Sequence, residues 1–263
     1  MNLDKICEQV IDISRSTGVF IKDEMKSFSQ KHIEIKGLHN FVSYVDKTAE
    51  QKIVTALSSI LPQAGFIAEE GTGSPSEGGL NWVIDPLDGT TNYIHGLPPF
   101  AISIALMDGN DVVLGVVHEI NLDECFWAVA GGNAFMNGSR ISVSEISRVN
   151  DSLIATGFPY YDYERMDKFL KSIDHFMRNS HGLRRLGSAA TDLAYVACGR
   201  FEAFYEYSLQ PWDVAAGSLI VKQAGGVVSD FGGEKNYIFG KEIVATNQNV
   251  YSDFHSVVRK IML

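Results

Sequence analysis

The sequence predicts a mixed fold of helices and sheets in two lobes, layered around one cleft. Two observations carry this. Between residues 100 and 130 three apolar runs follow one another with hairpin signals between them, the pattern of an antiparallel sheet. Beyond about residue 149, short strand-like runs alternate with helical ones, the pattern of an α/β lobe. The lobes are expected at about 1–148 (α+β) and 149–263 (α/β) of a single domain covering 1–263.

Taken in order, Leu3, Ile6, Val10, Ile13, Val19 and Phe20 recur at helical spacing and predict an amphipathic helix from Leu3 to about Phe28. His32–Lys36 alternates like a short strand. Phe41–Val45 then leads to Asp46, at the N-cap position of a helix over Lys47–Leu61 that Pro62 closes. Phe66–Ala68 reads as a strand ending in Glu69-Glu70. Trp82-Val83-Ile84 reads as the end of a buried strand that delivers Asp85 and Asp88 into a turn set by Pro86 and Gly89. Gly89, Thr90 and Thr91 open a helix whose first N–H groups face the same spot. The antiparallel strands are Phe100–Met107, Val112–Ile120 and Glu124–Ala130, and Asn137-Gly138 gives a further turn.

In the second lobe the expected strands are Leu153–Thr156, Arg184–Leu186, Phe201–Glu206, Val227–Ser229 and Ile243–Thr246. The expected helices are Asp162–Met177, Ser188–Cys198, Trp212–Ala224 and Tyr251–Ile261.

Composition narrows the function. The hydrophobic fraction of 45% and charged fraction of 21% are ordinary for a globular chain of 263 residues. A formal net charge of -10 argues against direct nucleic-acid binding, which needs a basic face. An acidic protein that takes an anionic substrate needs local positive charge, and cations held by carboxylates supply it. Cys7, Cys125 and Cys198 are widely spaced and odd in number, so free thiols are expected rather than a disulfide framework or a zinc site. The start of the chain lacks an apolar signal segment, and no apolar run approaches the about 18 residues of a membrane span. A cytoplasmic location without membrane contact is expected.

Four acids end or open elements: Glu69, Asp85, Asp88 and, after Pro211-Trp212, Asp213. Separately, each has an ordinary explanation in turn chemistry, solvation or a helix dipole. Together they offer hard oxygen ligands without Cys or clustered His, which favours Mg²⁺.

Three segments resemble the signatures of the inositol monophosphatase family, and in its order. They are Ala68-Glu69-Glu70-Gly71, Trp82 through Asn92, and Trp212-Asp213-Val214-Ala215-Ala216-Gly217. Gly132–Gly138, Gly187-Ser188-Ala189-Ala190 and Gly225-Gly226 are similar to further landmarks, so the resemblance covers nearly the whole chain. It implies a layered αβαβα sandwich and Mg²⁺-dependent, lithium-sensitive hydrolysis of a phosphate monoester. By the same resemblance, Glu69, Asp85 and the carbonyl of Leu87 would hold one ion, and Asp85, Asp88 and Asp213 a second. A third, looser ion would lie near Glu69. Thr90 and Asp46 would orient and deprotonate the attacking water, with Gly89 and Thr90 N–H groups on the phosphate.

Family positions for the substrate fall on Glu206 and Ala189; Lys36 occupies the place of a family lysine, and Arg184 and Arg185, just before Gly187, face either the substrate or the solvent, with Arg184 taken as the site residue. A homodimer is also implied. Inositol phosphate ranks first as substrate, since Thr91-Asn92 resembles that branch. Fructose 1,6-bisphosphate, 3'(2'),5'-bisphosphate nucleotides, histidinol phosphate and NADP are the alternatives within the same chemistry. Thr156–Tyr160 departs from the serine of animal enzymes. A protein-binding role in transcription, on the same fold, is the alternative of another class.

Overall fold

Trp82, Val83 and Ile84 are buried because the strand that carries them is paired on both sides within a sheet covered on both faces. The computed structural model describes residues 1–26, 33–37, 40–77, 79–160 and 162–263, with backbone alone at 33–37 and 40–43. The expected ends Phe28 and His32 and the side chain of Lys36 therefore lie outside the described residues.

The chain opens with α1 (Leu3–Met25), the hairpin β1 (Ile33–Gly37) and β2 (Asn40–Ser43), and α2 (Tyr44–Ile60). A seven-stranded sheet follows, made of β3 (Gly65–Ala68), β4 (Leu80–Asp88), β5 (Ala101–Asp108), β6 (Asp111–Glu119), β7 (Glu124–Val129), β8 (Ala134–Met136) and β9 (Ser139–Ile141), in that spatial order. The pair β3–β4 is parallel and the rest is an antiparallel meander, as the hairpin signals predict. A short helix, α3 (Thr90–Ile94), interrupts it between β4 and β5.

The second half supplies β10 (Leu153–Thr156), α4 (Met166–Asn179), β11 (Gly182–Arg184), α5 (Ala189–Ala197), β12 (Ala203–Tyr207), α6 (Pro211–Gln223), β13 (Val227–Ser229), β14 (Glu242–Thr246) and α7 (Tyr251–Met262). Its five strands lie in the order β11-β10-β12-β14-β13. The sheet is mixed: β10 is parallel to both its neighbours, and β14 is antiparallel to both of its own.

Three apolar clusters define five layers. Ile6, Val10, Val45, Ile53 and Leu57 seat α1 and α2 on one face of the large sheet, against Trp82, Ile84 and Ile104. Ala190, Leu193 and Ala194 of α5 and Val214, Ala216 and Leu219 of α6 fill the space between the sheets, against Ala105 and Val117 on one side and Phe204 and Ala245 on the other. Phe169 and Phe176 of α4 and Phe254 and Val258 of α7 cover the outer face of the small sheet. Hence α5 and α6 are apolar nearly all round, whereas α1, α4 and α7 keep a polar side. The layering is αβαβα, as the resemblance implies. No described helix is long and apolar enough to cross a membrane.

Four expectations need correcting. Asp46 is not an N-cap: α2 begins two residues earlier and holds Asp46 in its first turn, because β2 ends at Ser43 and leaves no loop before the helix. Asp85 and Asp88 do not follow the strand but belong to it. β4 continues to Asp88 across an irregularity in its pairing with β5 between Asp85 and Asp88, where Pro86 supplies no N–H for the ladder. In a regular strand residues three apart point to opposite faces; the bulge brings both acids to one cleft. The strand expected at Arg184–Leu186 lies at Gly182–Arg184, because its pairing with β10 ends at Ala155 opposite Arg184. The helix expected from Asp162 begins only at Met166.

Candidate active site

A cleft between the two sheets is walled by the ends of β3, β4 and β12, the starts of α3, α5 and α6, and the 157–160 segment. It brings together Glu69, Asp85, Leu87, Asp88, Gly89, Thr90, Ala189, Glu206 and Asp213, which are spread over 145 positions of sequence (213 less 69 spans 144 steps). Oxygens of Asp85, Asp88 and Asp213 lie within 4.8 Å of one another.

Each aspartate is anchored by one oxygen, which leaves the other for a ligand. Asp85 Oδ1 accepts the Leu87 N–H at 2.9 Å. Asp88 Oδ2 accepts both the Ser188 hydroxyl and the Ala190 N–H at 2.7 Å, so the first turn of α5 holds it. Asp213 Oδ2 accepts the Gln210 N–H at 2.7 Å, closing a capping box on α6. Pro211 at the first turn fixes where that helix starts, and Ser103 of β5 donates to the Trp212 carbonyl at 2.9 Å. Capping through Oδ2 thus leaves Asp213 Oδ1 open to a ligand.

Burial is the main cause that pushes the Asp85 carboxyl well above the ordinary carboxylate range, and the nearby charges of Glu69, Asp88 and Asp213 add to it. Asp213 is raised well above that range by burial and by Asp88. Asp88 rises to about 6 through burial, held down by its Ser188, Ala190 and Ala189 hydrogen bonds and by Arg185. Two unit charges at this spacing repel by roughly 3 kcal/mol at an effective dielectric of about 20. The cluster is costly as bare carboxylates and stable around a cation.

At the start of α3, Gly89 adopts φ 94° and caps the helix. A Cβ there would come within 3.0 Å of the Pro99 carbonyl and 3.2 Å of that of Gly187, so only glycine lets the cleft close this tightly. Thr90 Oγ1 lies 3.0 Å from both Asp46 Oδ1 and the Leu87 carbonyl. Asp46 is buried beneath it.

The far end of the cleft is formed by Glu206 on β12, Ala189 at the start of α5, and Arg185. Burial raises Glu206 to about 8, Arg185 opposing and the Asp88 charge adding. Of the two arginines before Gly187, Arg185 and not Arg184 lines the cleft. Arg184 ends β11 exposed and bonded to the Leu183 carbonyl; the next side chain points the other way and enters the cleft. The Arg185 guanidinium bonds the Tyr160 hydroxyl and lies over the rings of Phe158 and Tyr160, 5.4 and 5.6 Å from their centroids. Sequence reasoning also passed over Ser188, and over Asp192, buried on α5 and raised by burial and the charge of Glu206. A lone acid inside an alanine-rich helix was the available signal for it.

A profile of the inositol monophosphatase family matches residues 2–262. The chain belongs to that family. Inositol-1-monophosphatase of Mesorhizobium japonicum is 36% identical over 252 residues, with 95% of each chain covered. The protein called Nus factor SuhB in Escherichia coli is 40% identical over 238 residues, covering 90% of this chain and 89% of that one. The crystal structure of extragenic suppressor protein suhB from Bartonella henselae superposes with a TM-score of 0.93 at 36% identity, covering 97% of this chain and 99% of that one.

Inositol monophosphatases are Mg²⁺-dependent phosphatases of phosphate monoesters, and the donors here suit such an ion. Three carboxylates converge within 4.8 Å, and no Cys or His lines the cleft among the described residues. Arg185 moderates Asp88 but is absent from the charges that act on Asp85 and Asp213. A divalent cation supplies what those two acids lack.

Proposed function

We propose that this inositol monophosphatase family member hydrolyses a phosphate monoester with Mg²⁺, and that inositol 1-phosphate is its preferred substrate. The observation that carries this reading is the convergence of Asp85, Asp88 and Asp213 beside Glu69, with the Thr90–Asp46 pair on one side and Glu206 on the other. Glu69, Asp85, Asp88, Asp213 and the Leu87 carbonyl would hold two ions, with a third near Glu69. When bound, Mg²⁺ activates water and neutralises charge on phosphate and leaving group.

The chain's own groups do the rest. Gly89 and Thr90 N–H groups bind the phosphate and hold it in line. Thr90 Oγ1 orients the attacking water, and Asp46, within 3.0 Å of that hydroxyl, takes up the proton. As the water oxygen bonds phosphorus, the bond from phosphorus to the alcohol oxygen breaks; the departing alkoxide takes a proton from solvent water and leaves as the alcohol, and Asp46 returns its proton to solvent. Glu206 accepts hydrogen bonds from ring hydroxyls, Arg185 donates to them, and the first turn of α5 at Ala189 borders the ring. The protein acts as a cytoplasmic homodimer.

Phosphate release is to be measured with inositol 1-phosphate, fructose 1,6-bisphosphate, adenosine 3',5'-bisphosphate, histidinol phosphate and NADP, with Mg²⁺ and with EDTA. Fastest release from inositol 1-phosphate, dependent on Mg²⁺ and inhibited by Li⁺, is expected. Release unaffected by EDTA would sink the metal assignment.

Gly157 provides a sharper test of the ring-binding end. A Cβ on residue 157 would stand 2.0 Å from the Glu206 carboxylate, so Gly157→Ala must displace it. KM for inositol 1-phosphate should rise about ten-fold or more, the scale of one lost charged hydrogen bond. Turnover of p-nitrophenyl phosphate, which has no ring hydroxyls, should change little. An equal loss on both substrates would remove Glu206 from this role.

A protein-binding role in transcription is the second reading, supported by the 40% identity to the Nus factor of Escherichia coli. Retention of RNA polymerase or elongation factors on the immobilised protein, with and without Mg²⁺, tests it; no retention in either condition counts against it.

A further inference from the structure

The turn that carries Glu69 uses every one of its backbone donors. Glu69 N–H donates to the Ile84 carbonyl and Gly71 N–H to that of Ala68, both at 3.2 Å. The two remaining donors, on Glu70 and Thr72, converge on one side chain. Glu70 N–H donates to Glu50 Oε2 and Thr72 N–H to Glu50 Oε1, each at 2.8 Å. Glu50 belongs to α2 and is wholly buried. A carboxylate taken from water is costly unless hydrogen bonds replace its hydration; two charge-assisted bonds to backbone do so here.

One helical turn earlier on the same face of α2, Asp46 accepts the Thr90 hydroxyl at 3.0 Å. Two acids spaced i, i+4 therefore clamp the turn after β3 and the turn after β4 to a single rigid helix. A Gly- and Ser-rich surface loop such as 71–77 has no need of a buried charge for its own sake, since water satisfies loop donors. The donors that Glu50 takes, on Glu70 and Thr72, fix the course of the chain directly after Glu69.

We propose that Glu50 is a positioning residue that sets the Glu69 carboxylate relative to Asp85, and that Mg²⁺ affinity depends on it. The proposal rests on the reading of Glu69 as a metal ligand. Groups that orient metal ligands cost about 10- to 100-fold in affinity or activity when removed.

Wild type, Glu50→Gln, Glu50→Asp and Glu69→Gln are to be titrated with Mg²⁺ alone by calorimetry, and melted in EDTA. The Gln side chain accepts one N–H and presents its amide group to the other. Glu50→Gln should bind Mg²⁺ at least about ten-fold more weakly. Half-maximal activity should shift to higher Mg²⁺, with KM for inositol 1-phosphate at saturating Mg²⁺ unmoved. Glu50→Asp keeps the charge but is one methylene short, so its affinity should fall between the two; if Glu50→Gln does not fold, this variant decides.

Wild-type Mg²⁺ affinity in the Glu50 variants, even with a lower melting temperature, overturns the proposal, because a merely structural role moves melting alone. Wild-type affinity in Glu69→Gln instead removes the ligand reading on which the proposal stands.

Discussion

Asp85→Asn should lower kcat by at least about a thousand-fold, a loss of about 4 kcal/mol of transition-state stabilisation. The amide keeps the Leu87 N–H bond through its oxygen, so local structure survives. It gives up the charge that makes Asp85 a ligand for a hard cation. The same change should raise the melting temperature of the metal-free protein. In the absence of an ion Asp85 is a buried acid facing Glu69, Asp88 and Asp213, and removing its charge relieves that repulsion. Loss of activity together with gain of stability is the mark of a strained functional site. Steady-state kinetics and thermal melting in EDTA check both arms. A kcat within about ten-fold of wild type would show that Asp85 is not a ligand.

The second large effect concerns pH. Folding raises the carboxyl of Asp88 to about 6 and that of Glu206 to about 8, and places Asp85 and Asp213 well above their ordinary values. An acid whose pKa is raised by folding holds its proton more tightly in the folded state. Its contribution to stability is complete below the unfolded value, near 4, and is lost as pH rises through the folded value.

The metal-free protein should therefore melt progressively lower between about pH 4 and pH 8.5. Asp88 alone accounts for on the order of 3 kcal/mol, or roughly 5–10 °C in a chain of this size. Mg²⁺ should stabilise increasingly over the same window, because it binds the deprotonated carboxylates. Melting curves with EDTA and with Mg²⁺ across this range provide the check. A metal-free melting temperature that is flat or rises with pH would contradict the buried-acid account.

The apolar periodicity of α1, the apolar runs of β5 to β7 with hairpin signals between them, and the strand–helix alternation after residue 149 are local properties. They let the sequence by itself determine most elements and the two kinds of sheet. The acids at Glu69, Asp85, Asp88 and Asp213 were legible for a related reason, since each stands at the edge of an apolar run whose direction is set locally. What periodicity leaves open is the register at an element's end, where a one-residue slip exchanges the two faces. That slip separates Arg184, exposed on β11, from Arg185 in the cleft.

The bulge at Pro86 likewise arises from the pairing of β4 with β5, a contact between segments that the sequence of either one does not specify. The roles of Glu50 and Asp192 were hidden for the same reason. An acid on a helix is ordinarily solvated, and only the packing of α2 against the large sheet, and of α5 between the two sheets, buries these. Burial and mutual distance are properties of the layered assembly. They decide which carboxylates share a charge problem that only a cation resolves.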